Sequence, residues 1–166
     1  IGLLTTVFLF TAVYSTAKNS ASMKTSAYPP DHLKETAVWL KENSQPGEIV
    51  FHTAWDSFPP LFFWNQKNYY INGADPIFQY AFNKELYWKN HFIALGGKPY
   101  TCGYPATLQE TSEDLYTVLS RDFSASYVIV ELDRNSGLNQ NLAKDSHFQK
   151  VFQTEKEVIY KLTLSL

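Results

Sequence analysis

The first seventeen residues constrain this chain most. From Ile1 to Ala17 they read IGLLTTVFLFTAVYSTA, with no charged residue and no proline. As a helix they would extend about 25 Å, close to the hydrocarbon thickness of a bilayer. The stretch therefore reads as the end of a transmembrane helix, and the start on Ile1 rather than Met reads as a piece cut from a longer protein. Two other readings stay open. Ser15-Thr16-Ala17 would pass as the cleavage site of a secretory signal, although no basic leader precedes it. A buried core helix is the third, weakened because Thr5, Thr6, Thr11, Ser15 and Thr16 do not collect on one face. Lys18 and Lys24 follow, too few to orient a span by positive charge.

Residues 18–30, KNSASMKTSAYPP, are small and polar and close on two prolines, as a linker does. Residues 31–166 then form one soluble domain of ordinary size, able to bury about two thirds of its unfolded surface without covalent staples. Its contacts would be with membrane lipid and the transmembrane part of its own chain. The net charge of −2 and the lack of any basic run exclude a nucleic-acid footprint. Cys102 is the single cysteine, which excludes an intrachain disulfide, a thiolate zinc site and a redox pair. Aromatic residues make up 16% of the chain and crowd between Phe51 and Trp88. That density suits either a core of large rings or a surface that meets a sugar or an apolar partner.

Local signals give an α/β order. Asp31 is a candidate cap for a helix with Leu33, Ala37 and Leu40 on its dry side, stopped by Asn43-Ser44-Gln45-Pro46-Gly47. Residues 48–53 read as a buried strand, and helix, turn, strand is the unit of a parallel sheet. A short helix over Pro59–Trp64, a strand at Tyr69–Ile71 and a helix from Pro76 capped by Asp75 follow. Lys84–Leu95 is helical in pattern and Gly96-Gly97 end it, before an irregular stretch at 98–110. Acidic residues at 113 and 114 open a helix striped by Leu115, Val118 and Leu119. Residues 125–130 are the clearest strand, 139–144 a short helix, and 147–152 with 158–164 a closing antiparallel hairpin on the sheet edge. The expected fold is α/β, with a mostly parallel sheet, flanking helices and the C-terminal hairpin.

In open α/β sheets ligands gather beyond the carboxyl ends of the strands. That rule selects the loops His52-Thr53-Ala54-Trp55-Asp56 and Asn72-Gly73-Ala74-Asp75, and with them Trp55, Asp56, Asn72 and Asp75 as candidate ligand-binding residues. Neighbouring strands would place Asp56 and Asp75 on one rim, where carboxylates beside aromatic faces could bind a sugar or a cation, or serve as acid and base. Plainer roles compete: Asp75 and Asp56 as helix caps, His52 as a hydrogen-bonded core residue, and Trp55, Phe58, Phe62, Phe63 and Trp64 as helix-to-sheet packing. The positions of Trp55, Trp64 and Trp88 discriminate, because rings on a concave rim favour a ligand and buried rings favour a scaffold. His52, Asp56 and Asp75 have metal-ligand chemistry but no metal-site spacing. No glycine-rich phosphate loop and no nucleophile elbow is present, and the histidines are scattered. No catalytic residue, metal or cofactor is assigned.

Three segments carry a resemblance: AVWLKENSQPGEIVFHTAWD, NYYINGADPIFQYAFNKELYWKN and SASYVIVELDRNSGLNQNLAKDSHFQKVFQTEKEVIYKL. Together they resemble the C-terminal soluble domains of large bacterial polytopic membrane proteins similar to the GT-C glycosyltransferases, which use polyprenyl-phosphate sugars. The resemblance covers roughly residues 30–166. It implies an extracytoplasmic position against the membrane and an accessory role in holding a glycan acceptor or a polyprenyl-phosphate sugar donor. The family's catalytic acid lies in an early loop that has no counterpart in these residues, so none is carried over. The alternative is a structural or protein-interaction domain of a membrane protein.

Overall fold

A computed structural model describes residues 2–26, 28–73, 75–97 and 113–163. Two compact units divide between His32 and Leu33. The first is a helix, α1 (Gly2–Ser26). Val7, Phe8, Leu9, Phe10, Val13 and Tyr14 on it are exposed, and Thr6 and Thr11 turn their hydroxyls back onto the Gly2 and Phe8 carbonyls at 3.0 and 2.9 Å. The helix runs on to Ser26, so most of the expected linker at 18–30 is helical instead. The physical reason is that alanine, lysine and methionine favour helix and the first proline comes only at Pro29. No helix among the described residues is long and apolar enough to cross a membrane. The hydroxyl side chains of α1 and its polar second half dilute the opening apolar run.

The second unit is mixed α/β. Its helices are α2 (Lys34–Asn43), α3 (Phe58–Trp64), α4 (Pro76–Phe82), α5 (Lys84–Gly96), α6 (Leu115–Thr117) and α7 (Ser136–Lys144). Its strands are β1 (Ile49–His52), β2 (Tyr69–Tyr70), β3 (Ala125–Glu131), β4 (Phe148–Gln153) and β5 (Glu157–Leu162), in the order β2-β1-β3-β5-β4. β1 pairs parallel with β2 and β3, while β5 pairs antiparallel with β3 and β4. The sheet is thus evenly mixed rather than mostly parallel. The C-terminal hairpin forms, but it enters through β5, whose register sets Ile129 against Ile159, and only β4 is left on the edge.

Alternation along the strands divides the core between two faces. Phe51, Val128, Val130, Val158 and Tyr160 point to one face, where they meet Ile93 of α5, Leu138 and Leu142 of α7, and Val118, Leu119 and Phe123. Val50, Tyr127, Ile129 and Ile159 point to the other, against Leu33, Ala37 and Leu40 at α2 and Leu61 of α3. β3 is covered on both faces, which explains why its sequence is a continuous apolar run.

Helix boundaries follow local chemistry with two exceptions. Asp75 caps α4 by accepting the Ile77 amide at 2.9 Å, and Asn83 caps α5 through Glu85 and Leu86. Asp114 caps α6, which widens into a π-helical turn over Val118–Asp122. Gly97 ends α5 at φ 69°, a conformation glycine adopts without steric cost. The first exception is α2: Asp31 does not cap it, and the helix starts after Leu33, whose φ of 57° is unusual for a bulky residue. Leu33 takes that turn to bury its side chain at 3% exposure. The second is α7, which begins at Ser136 rather than 139. The stretch at 98–110, including Cys102, lies outside the described residues.

Candidate functional site

β2, β1 and β3 run parallel and are neighbours, so the segments leaving their carboxyl ends share one edge of the sheet. The two loops selected from sequence leave β1 and β2 there, and residues 132–135 leave β3. Each candidate side chain meets a different fate.

Trp55 and Asp75 come together. They line an open recess of about 570 Å³ with Pro76, Ile77 and Tyr80 of α4 and Tyr87 and Trp88 of α5. Trp55 is half exposed at 52%. Tyr80, Tyr87 and Trp88 form a corner: their ring planes stand at 86°, 87° and 73° to one another, with centroids 4.9–6.2 Å apart. These are edge-to-face contacts, favoured because the positive rim of one ring meets the negative face of the next. Asp75 uses Oδ1 as the α4 cap and remains exposed at the mouth.

Asp56 is consumed instead by Arg134. The guanidinium grips it bidentately at 3.1 and 3.0 Å and also lies 3.5 Å from Glu131. Glu131 is buried at the end of β3 and accepts the Ser57 hydroxyl at 2.6 Å. Thr53 donates to Asn135 at 2.5 Å, and Asn135 donates to the Ala94 carbonyl at 2.7 Å. This group clamps the β1 exit loop to the β3 exit loop and α5. Asp56 caps no helix: neither the turn at Trp55–Ser57 nor α3 receives a side-chain cap bond.

Asn72 is a positioning residue. In the left-handed conformation, φ 67°, it donates to the His52 carbonyl at 2.9 Å and exchanges amide hydrogen bonds with Asn90 of α5 at 3.0 and 2.9 Å. Asn90 donates further to Gln79 of α4 at 3.1 Å. One amide chain therefore ties the ends of β1 and β2 to the two helices that carry the rings.

His52 lies beneath this rim at 2% exposure. Its Nδ1 meets the Ala54 carbonyl at 2.9 Å, which fixes the proton on Nδ1 and leaves Nε2 as a bare lone pair. Nε2 is buried without a hydrogen-bond partner among the described residues, beside the Tyr70 ring. Burial pushes the imidazole pKa down to about 4 against smaller upward pulls from Ala54 and Asp56. It is a neutral core residue. Among the described residues no group of three or more His, Cys, Asp or Glu could hold a metal ion.

Trp64 is half-buried on the α2 face, with Lys34 above its ring at 4.6 Å, and takes no part in the recess. Trp55 and Trp88 do. Sequence reasoning does not single out Tyr80, Tyr87 or Arg134. The two tyrosines carry a faint signal, since Tyr80 follows Asp75 by five residues and Tyr87 precedes Trp88. Arg134 carries none.

No protein-family model matches the chain, and no curated protein or solved structure matches it. Any functional statement therefore rests on the site itself.

Proposed function

We propose that this chain is a non-catalytic binding and docking domain of a membrane glycosyltransferase-like protein, held at the extracytoplasmic face by the apolar half of α1. Its task is to hold a small ligand, a glycan acceptor or the sugar of a lipid-linked donor, in the aromatic recess at the rim of the sheet. The observation that carries this reading is the half-exposed Trp55 lining one open recess with Asp75, Tyr80, Tyr87 and Trp88. Concave sites with aromatic walls and a few placed polar groups are where small ligands bind. The exposed apolar side chains of α1 support the membrane half, because such a surface is costly in water and is satisfied by lipid or by a partner helix. Asp56 and Asp75 do not form a free acid–base pair, since Arg134 holds one and the α4 amide of Ile77 uses the other.

The test is titration of the chain with glycans and polyprenyl-phosphate sugars, read by tryptophan fluorescence. A saturable change that disappears in Trp55→Ala is expected. A flat response to every ligand removes the binding role.

One observation favours a second reading, a protein-interaction domain. Phe63, Phe78 and Phe82 are 65–86% exposed, and α4 buries none of its residues. Loss of co-purification with the membrane protein on Phe78→Ser and Phe82→Ser, with unchanged ligand titration, would select it.

A further inference from the structure

We infer that the recess selects a ligand bearing an alkylammonium group, either the methylated ammonium of a lipid headgroup or the primary ammonium of an amino sugar. The inference deepens the reading of the recess as a binding site and rests on it. Three observations carry it. First, Tyr80, Tyr87 and Trp88 pack edge to face, Tyr87 also stacks on His91 and Trp88 on Phe92, and the three line one recess with Trp55 from the β1 exit loop. A cation gains from each π-face it meets, and an aromatic-rich lining offers it that attraction. The indole N–H groups of Trp55 and Trp88 and the hydroxyls of Tyr80 and Tyr87 add hydrogen-bonding groups that the sugar of an amino sugar could use.

Second, the only charged side chain among the described lining residues is Asp75. It keeps Oδ1 on the α4 amide of Ile77 and has its second oxygen to offer. No lysine or arginine is among the described lining residues, and the nearby Arg134 is bound to Asp56 and Glu131. The described lining thus carries one charge, and it is negative. Third, the protein's own Lys84 ammonium lies over the Tyr80 ring, 5.3 Å from its centroid. The Tyr80 ring thus has a face that an ammonium group reaches.

The experiment uses calorimetric titration of the full chain with choline, glucosamine and N-acetylglucosamine. The last two differ in that acetylation removes the charge. The charged probes are expected to bind at least about tenfold more tightly than N-acetylglucosamine, and their affinity to fall with added salt. Asp75→Asn keeps an oxygen for the α4 cap and removes the charge, so it should cost the charged probes about tenfold and leave the neutral one unchanged. Trp55→Ala, at an exposed position, should weaken the charged probes roughly fivefold. Choline ahead of glucosamine identifies the headgroup source, and the reverse identifies an amino sugar. N-acetylglucosamine binding as tightly as glucosamine, or choline binding untouched by Asp75→Asn, overturns the ammonium inference and leaves the binding domain standing. Silence from all three probes overturns the ammonium inference, while the titration with glycans and polyprenyl-phosphate sugars decides the binding domain separately.

Discussion

His52 makes the domain's stability depend on pH. Its pKa falls from 6.5 to about 4 in the fold because burial strips water from the charged imidazolium, and Nε2 has no hydrogen-bond partner among the described residues to replace it. In the unfolded chain the imidazole charges as the pH drops through 6.5, while the folded form stays neutral until about 4. The unfolded state therefore binds more protons across that interval, and stability falls as the pH is lowered. Relative to pH 7 the loss works out at about 1.2 kcal/mol at pH 5.5 and about 2.4 kcal/mol at pH 4.5, levelling near 3 kcal/mol. Urea denaturation at these three pH values measures it. His52→Leu should flatten the slope between pH 6.5 and 4.5, even if the substitution shifts the stability at pH 7 through altered packing. The same acid slope in wild type and His52→Leu would refute the argument, because it would assign the titration to another group. The carbonyl of residue 52 accepts from Asn72, so a comparison of ligand titration in both proteins also tells whether the backbone alone positions the rim.

Two further perturbations test the frame around the site. Gly97→Ala forces a Cβ to within 2.9 Å of the Leu138 backbone and 2.7 Å of the Asn141 amide, at φ 69°; the backbone strain and the clash together should cost about 2–4 kcal/mol in urea unfolding. A loss under about 0.5 kcal/mol would mean that α5 and α7 can part there easily. Lys89, 2% exposed, contacts Glu85, Glu113 and Asp122 at 2.7, 2.5 and 2.8 Å, and Arg121 bridges the last two. Burial alone would lower the Lys89 pKa, but hydrogen bonds with Asp122, Glu113 and Glu85 outweigh it and hold the ammonium above its ordinary value. Lys89→Met strands carboxylates that reach solvent to different degrees, so a loss of about 2–3 kcal/mol is expected. In the folded wild type, Lys89 with Arg121 holds the Glu113 carboxyl below its ordinary 4.5, and Arg121 with Lys89 holds Asp122 below 3.8. Their contribution is complete above those values and vanishes as acid titrates the folded form. Lys89→Met should make the decline below about pH 4.5 shallower, and an unchanged acid limb would show that Arg121 suffices.

What can be read from sequence is what a few neighbouring residues decide. Asp75 before Pro76 specifies a cap because the Ile77 amide needs an acceptor two residues away, and Gly97 ends α5 because few other residues take φ 69° cheaply. The run at 125–130 declares a strand, and the fold covers it on both faces. Alternation in 157–162 names the two faces of β5 but not its neighbour, and that is why sequence leads to a mostly parallel sheet when β5 lies antiparallel against β3. The same distinction divides the two rim carboxylates. Asp56 and Asp75 have the same chemistry, the same kind of loop and the same edge of the sheet. Asp56 is spent because a guanidinium 78 residues further on folds back over it, and nothing in residues 52–57 announces that cation. Asp75 gives Oδ1 to the Ile77 amide, and the described groups that line a recess with it are mainly aromatic, on α4 and α5, which the Asn72–Asn90 amide exchange ties to the β2 exit. The sequence can thus nominate a charge for a site, but only the partners that folding delivers decide whether that charge is neutralised from within or left for a ligand.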